Sequence, residues 1–234
     1  MDSAELHQYR GLLGAAEVAQ GMNAATQNAR RLAADARRLL DGKSYATSFA
    51  LACLSIEESG KCRILRELAL ARDEVEAREC WREYRSHTSK NLLWPLVEAV
   101  EAGARKAEDF AALLRPGADH THLLGKLKQI SLYTDCYTKG HWSVPTDLID
   151  EELARRLVLA AEIMGANREI STEEIELWIH YLQPVWGREK TAASMQEALF
   201  QWDKEIRRRG LAPADGFGME AFFKGGFPIE KREG

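Results

Sequence analysis

The chain predicts an all-α protein: a helical bundle with a helical carboxyl-terminal extension and an aromatic, glycine-rich tail. Apolar residues recur at intervals of three and four in segment after segment, as one face of a helix requires. Helix-starting residues stand ahead of several of those segments. No stretch alternates apolar and polar residues in the period of two that marks a half-buried strand. With 234 residues, 45% hydrophobic and 29% charged, the chain can bury a full core and has an ordinary globular composition. The predicted organisation is a bundle over residues 1–145, an extension packing on it over 146–210, and a tail over 211–234.

Met22, Ala25, Ala29, Leu32, Ala36 and Leu39 trace one face of a long helix over about residues 8–40, weakened early by Gly11, Gly14 and Gly21. Asp41-Gly42 breaks the pattern, and Ser44 is placed to cap a second helix reaching about residue 72. So short a connection makes the two helices antiparallel neighbours. A third helical region runs over about 73–114, interrupted near 86–95, because Pro95 disfavours helix in the residue before it. Arg115-Pro116-Gly117 is a loop, followed by a helix over about 120–137 and a turn-rich connection, 138–145, whose Trp142 is expected to plug the end of the bundle. Leu148, Leu153, Leu157 and Ala160 mark a helix over 147–164. Ser171-Thr-Glu-Glu174 is a capping box opening a helix with Ile175, Trp178, Ile179 and Leu182 on one side. Met195, Leu199, Trp202 and Ile206 mark the last long helix, about 191–209. The tail interleaves glycines with Phe217, Met219, Phe222, Phe223, Phe227 and Ile229, and so much aromatic surface predicts docking, on the body of the protein or on a partner.

A formal net charge of -4 gives no general attraction to nucleic acid or anionic membranes, so neither a DNA nor a membrane partner is expected. The basic runs at Arg30-Arg31, Arg37-Arg38 and Arg207-Arg208-Arg209 are local, and such residues near helix ends often serve the helix dipole. Cys53, Cys62, Cys80 and Cys136 show no metal-like spacing. No signal-like amino terminus and no bilayer-long apolar run is present, which predicts a cytoplasmic protein with reduced thiols.

The informative local feature is a pair of acids closing an apolar run. From Phe49 to Ile56 there is no charge and one hydroxyl, Ser55, so this part of the second helix reads as central and buried. Glu57 continues the stripe of Ala50 and Cys53, and Glu58 that of Leu51 and Leu54. Carboxylates taken out of water need partners. One answer is local, Glu57 to Lys61 at i,i+4; the other is a polar site inside the bundle. A second polar cluster spans Trp81 to Asn91. A third is Leu132-Tyr133-Thr134-Asp135, where an acid alone in an uncharged stretch reads as buried or half-buried.

These segments carry a resemblance. Asn28-x-x-x-Leu32-x-x-Asp35-Ala36, then Tyr45-x-x-Ser48-x-Ala50 leading to Glu57-Glu58-x-Gly60-Lys61, then His87-x-x-Lys90, then Leu132-Tyr133-Thr134-Asp135, resemble the AbiV family of abortive-infection proteins over roughly residues 21–145. The resemblance implies bacterial defence against phage, with growth or translation arrest as the outcome. AbiV proteins more distantly resemble the HEPN helical bundles, many of them metal-independent ribonucleases acting as dimers, whose site is an arginine followed after four to six residues by a histidine. Arg82-Glu-Tyr-Arg-Ser-His87 fits that form. An arginine can hold the scissile phosphate and stabilise charge on its oxygens, and a histidine can take or return the proton. In one continuous helix, residues five apart diverge by about 140°, so the two converge only if the helix ends between them.

A metal reading competes. Glu57 or Glu58, His87 and Asp135 are ligand types that helical bundles use for iron or manganese, but the Glu-x-x-His repeat of such sites is absent. His120-Thr-His122 is the closest histidine pair. The preferred reading has no metal or other cofactor. It is a homodimeric, cytoplasmic anti-phage protein that cleaves or binds RNA, with Arg82, His87, Glu57, Glu58, Lys90 and Asp135 as candidate site residues. The alternative is a non-catalytic module that binds a phage or translation component, its buried acids paired with Lys61 and Lys90.

Overall fold

The computed structural model describes residues 7–86, 120–166, 168–187, 191–213 and 218–225. Over these the protein is an all-α bundle with one very small hairpin. In order come α1 (Ala15–Asp41), α2 (Tyr45–Ala69), α3 (Glu74–Arg85), α4 (His120–Leu132), β1 (Asp135–Tyr137), β2 (His141–Ser143), a short α5 (Pro145–Leu148), α6 (Glu151–Gly165), α7 (Thr172–Leu182), α8 (Ala192–Arg208) and α9 (Met219–Lys224).

The first helix begins later than its apolar pattern predicts: Gly14 is extended at the N-cap, and the glycine-rich stretch before it stays outside the helix, as the backbone entropy of glycine favours. The turn into α2 closes as a Schellman motif, Ser44 N–H donating to Leu39 C=O at 2.8 Å and Lys43 N–H to Leu40 C=O at 2.9 Å. The left-handed residue is Lys43, at φ 60; the preceding Gly42, at φ -79, is the C-cap. Ser44 caps α2 by position, without a side-chain hydrogen bond.

α2 is the central helix, packing against α1, α3, α4, α6 and α7, as its all-round apolarity predicts. Its approach to α1 relies on small residues. Ala25, Ala29, Ala33 and Ala36 of α1 and Ala46, Ala50 and Ala52 of α2 are buried. Within this contact the Ser48 and Ser55 hydroxyls donate to the Ala36 and Ala29 carbonyls of α1, at 2.7 and 2.8 Å, so two buried polar groups become ties between helices.

One apolar cluster joins α1, α2, α4 and α6 around Phe49, Ile56, Leu124 and Leu157. A second joins α1, α2, α3 and α7 around Leu65, Leu68, Trp81 and Ile175. The third joins α7 and α8 to Leu70 through Leu182, Trp202 and Ile206. Where α7 meets α2, Glu174 is fully buried; Arg66 donates to it at 3.1 Å and Arg168 approaches at 2.6 Å. Arg66 also lies over the Trp178 and Trp202 rings, 4.9 and 5.0 Å from their centroids. Burial pulls this guanidinium below its ordinary pKa, with Glu174 opposing. The described part of the tail, α9, rests on α8: Met219 N–H donates to Asp203 at 3.0 Å and Phe223 meets Phe200 edge to face.

Two local expectations are corrected. The helix predicted over 120–137 ends at Leu132, and the chain forms an antiparallel hairpin, Asp135 opposite Ser143 and Tyr137 opposite His141. Two three-residue strands are too short to show a period of two. Trp142 does not plug the bundle: it is 70% exposed on β2, because the hairpin stands off the core. The helix predicted from residue 73 ends at Arg85 with Ser86 extended, where the interruption was expected to begin; residues 87–114 lie outside the described residues.

Candidate functional site

The two adjacent acids take different partners. Glu57 is buried, and its Oε1 accepts from Lys128 Nζ of α4 at 2.5 Å, with side chains 5% and 7% exposed. Glu58, about 100° further round the helix, is half-buried and meets Lys61 Nζ at 2.5 Å. The local pairing expected of Glu57 with Lys61 is therefore corrected. Lys61 is taken by Glu58, while the Glu57 carboxylate turns to Lys128, a cation carried in by another helix.

Lys128 was not among the predicted site residues. Leu124, Lys128 and Ser131 lie at i, i+4 and i+7 and all three are buried, so α4 turns its lysine inward on the face that also carries Leu124. Near the pair lies Cys53, whose thiol is pushed up by burial first and by the Glu57 charge.

Lys61 adds a second link, because its ammonium stands 5.2 Å from the centroid of the Tyr84 ring on α3. Tyr84 meets Trp81 edge to face at 5.2 Å, and the Trp81 indole donates to Gly11 C=O at 2.8 Å. Glu57 thus holds α4 and Glu58, through Lys61, holds α3. Those two helices flank the segment that carries His87 and Lys90.

Arg82 is exposed on the last turn of α3 and forms no ion pair with any described residue. The helix ends three residues later, and Ser86 turns the chain into extended backbone (φ -75, ψ 130). His87 and Lys90 lie outside the described residues. Asp135 is exposed on β1, where its carboxylate accepts from Cys136 N–H at 2.7 Å; it is not the buried acid the sequence suggested, because the hairpin carries it out to solvent. The side chains of His120 and His122 lie outside the described residues. Among the described residues, no three His, Cys, Asp or Glu side chains gather as metal ligands would, and no helix is long and apolar enough to cross a membrane.

The described residues therefore form an α-helical bundle with an inward Glu–Lys pair and an exposed arginine at the end of α3. The family model of AbiV, a HEPN-type family, matches residues 17–166, and the chain belongs to that family of abortive-infection, anti-phage proteins. No curated protein matches it, and no solved structure does.

Proposed function

We propose that this protein acts in the bacterial cytoplasm on RNA, as a homodimeric, metal-independent endoribonuclease whose action arrests translation or growth. The observation that carries the reading is the end of α3. The helix stops between Arg82 and position 87, which removes the 140° divergence that a continuous helix would impose. Arg82 holds the scissile phosphate and answers the charge that builds on its oxygens. His87 removes the 2'-hydroxyl proton, the 2'-oxygen attacks the neighbouring phosphorus, and the 5'-oxygen leaves with a proton from solvent. The products are a 2',3'-cyclic phosphate and a 5'-hydroxyl.

The test is RNA from induced cells, mapped for 2',3'-cyclic phosphate ends, with and without phage and with chelator present. Wild type is expected to produce such ends, and Arg82→Ala and His87→Ala to abolish them and phage protection together. Folded variants that still protect fully would sink the ribonuclease reading.

A second reading is supported by a different surface. Leu132, Tyr133, Tyr137, Trp142, Val144 and Leu148 are all exposed, from 39% to 70%, around the hairpin. So much apolar surface in 17 residues suits protein docking. In this reading the protein is a non-catalytic module: the Glu57–Lys128 pair is architectural and the hairpin face binds a phage or translation component.

A further inference from the structure

We propose that an arginine-lined pocket beside Arg82 grips the phosphodiester backbone of single-stranded RNA. The inference rests on the RNA-directed reading above. Arg10, Arg78, Arg82 and Arg85 bound, among the described residues, an open pocket of about 290 Å³. Three of them share a face of α3 at i, i+4 and i+7. The fourth comes from the segment ahead of α1, so the pocket exists only because that segment folds back onto α3.

Its geometry is held from behind. Arg85 donates to Tyr9 C=O at 2.5 Å and to Trp81 C=O at 3.3 Å, and lies over the Trp81 ring at 5.1 Å. Trp81 in turn holds Gly11 and meets Tyr9 edge to face. Much of the ordering is therefore done before a ligand arrives, which leaves more of the contact energy for binding.

The neighbouring acids do not cancel the charge. Glu76 is turned to Arg72 and Glu83 to Arg63, at 2.8 and 3.2 Å. Glu74 stands 3.5 Å from Arg78 in an exposed i,i+4 pair, which is worth little and which a phosphate can displace. Four guanidiniums on one pocket, in a chain of net charge -4, make a local anion site of the kind that reads backbone rather than bases, since guanidinium forks match phosphate oxygens.

The experiment is fluorescence anisotropy of a labelled oligo-2'-O-methyluridylate, which cannot be cut through its 2'-oxygen, against the full chain between about 50 and 200 mM salt. Arg10→Ala with Arg78→Ala is expected to weaken binding about tenfold, and to flatten the log–log salt slope by about 0.7 for each arginine removed. Arg10→Lys with Arg78→Lys keeps the charges and is expected to keep the slope. Because the contacts are to phosphates, deoxyuridylate of the same length is expected to show the same dependence. Binding by the alanine pair that matches wild type in affinity and slope, with circular dichroism unchanged, overturns the proposal, as does wild type that does not bind the probe. Wild type that binds with this dependence but produces no cyclic-phosphate ends overturns the ribonuclease reading and leaves the pocket standing.

Discussion

Glu57 Oε1 and Lys128 Nζ meet at 2.5 Å inside the bundle, although 71 residues separate them in the chain. Both charges are buried, and removing one breaks an ion pair that bridges α2 and α4. Lys128→Met or Glu57→Leu should cost about 3–5 kcal/mol, and the double variant should regain most of it, since an apolar pair of similar volume restores the packing without a stranded charge. Urea unfolding of the four proteins checks this. Single variants within about 0.5 kcal/mol of wild type would show that water reaches the pair.

Lys43 holds the left-handed position of the α1–α2 turn at φ 60. A side chain is strained there and glycine is not, so Lys43→Gly should stabilise the protein by about 1 kcal/mol in thermal unfolding. A loss of stability instead would mean that the lysine side chain makes a contact outweighing its backbone cost.

At the end of α8, Arg208 first and then Arg209 hold Glu205 down to about 2. The sign follows from a folded-state value below the unfolded one. The contribution to stability is fully present above the ordinary glutamate range near 4.3 and is lost as pH falls through about 2. The carboxyl carbon of Glu205 should titrate near that value by NMR. Glu205→Gln should be less stable than wild type at neutral pH, and the difference should fade as acid is added.

The four thiols should divide by burial. Cys136 is exposed and Cys53 is buried, while burial, with Glu67 and Glu83, pushes Cys80 up to about 11. Alkylation at mildly alkaline pH, followed by mass spectrometry, should label Cys136 first and Cys53 only after unfolding.

The hairpin face is the surface on which the proposed homodimer is expected to close. Trp142→Ser with Tyr133→Ser should convert a dimer to a monomer by light scattering, with melting temperature measured at matched low concentration nearly unchanged, because neither side chain is part of the core. A wild-type protein that is monomeric would remove the dimer, and a dimer untouched by the double variant would move its interface elsewhere.

Much of this architecture was legible because helix formation and burial leave local marks. The stripe from Met22 to Leu39 and the uncharged run from Phe49 to Ile56 each report on neighbours within a turn or two, and each became the helix it predicted; of the box at Ser171-Glu174 the serine half formed, Glu174 N–H donating to Ser171 Oγ, while the Glu174 carboxylate went to Arg66 and Arg168. Lys128 is harder to read, because its stripe pairs Leu124 with Ser131 and a lysine beside a serine looks like a solvated face. The hairpin was not, because strands three residues long are too short to show a period. The exposure of Trp142 and Asp135 could not be read either, since an indole or a lone acid in a loop looks the same whether the loop covers the core or stands away from it.

By itself, then, the amino-acid order determined that the chain is helical, that α2 is central, and that Glu57 lies on a face that needs an answering charge. Tertiary structure alone decided which charge answers. Lys61 is four residues away on the same face of the helix and Lys128 is 71, yet Lys61 is drawn to Glu58 and the Tyr84 ring and Glu57 meets the lysine that α4 brings. The helix period sets where a side chain points, but the partner it meets depends on which helix the rest of the core packs against that face.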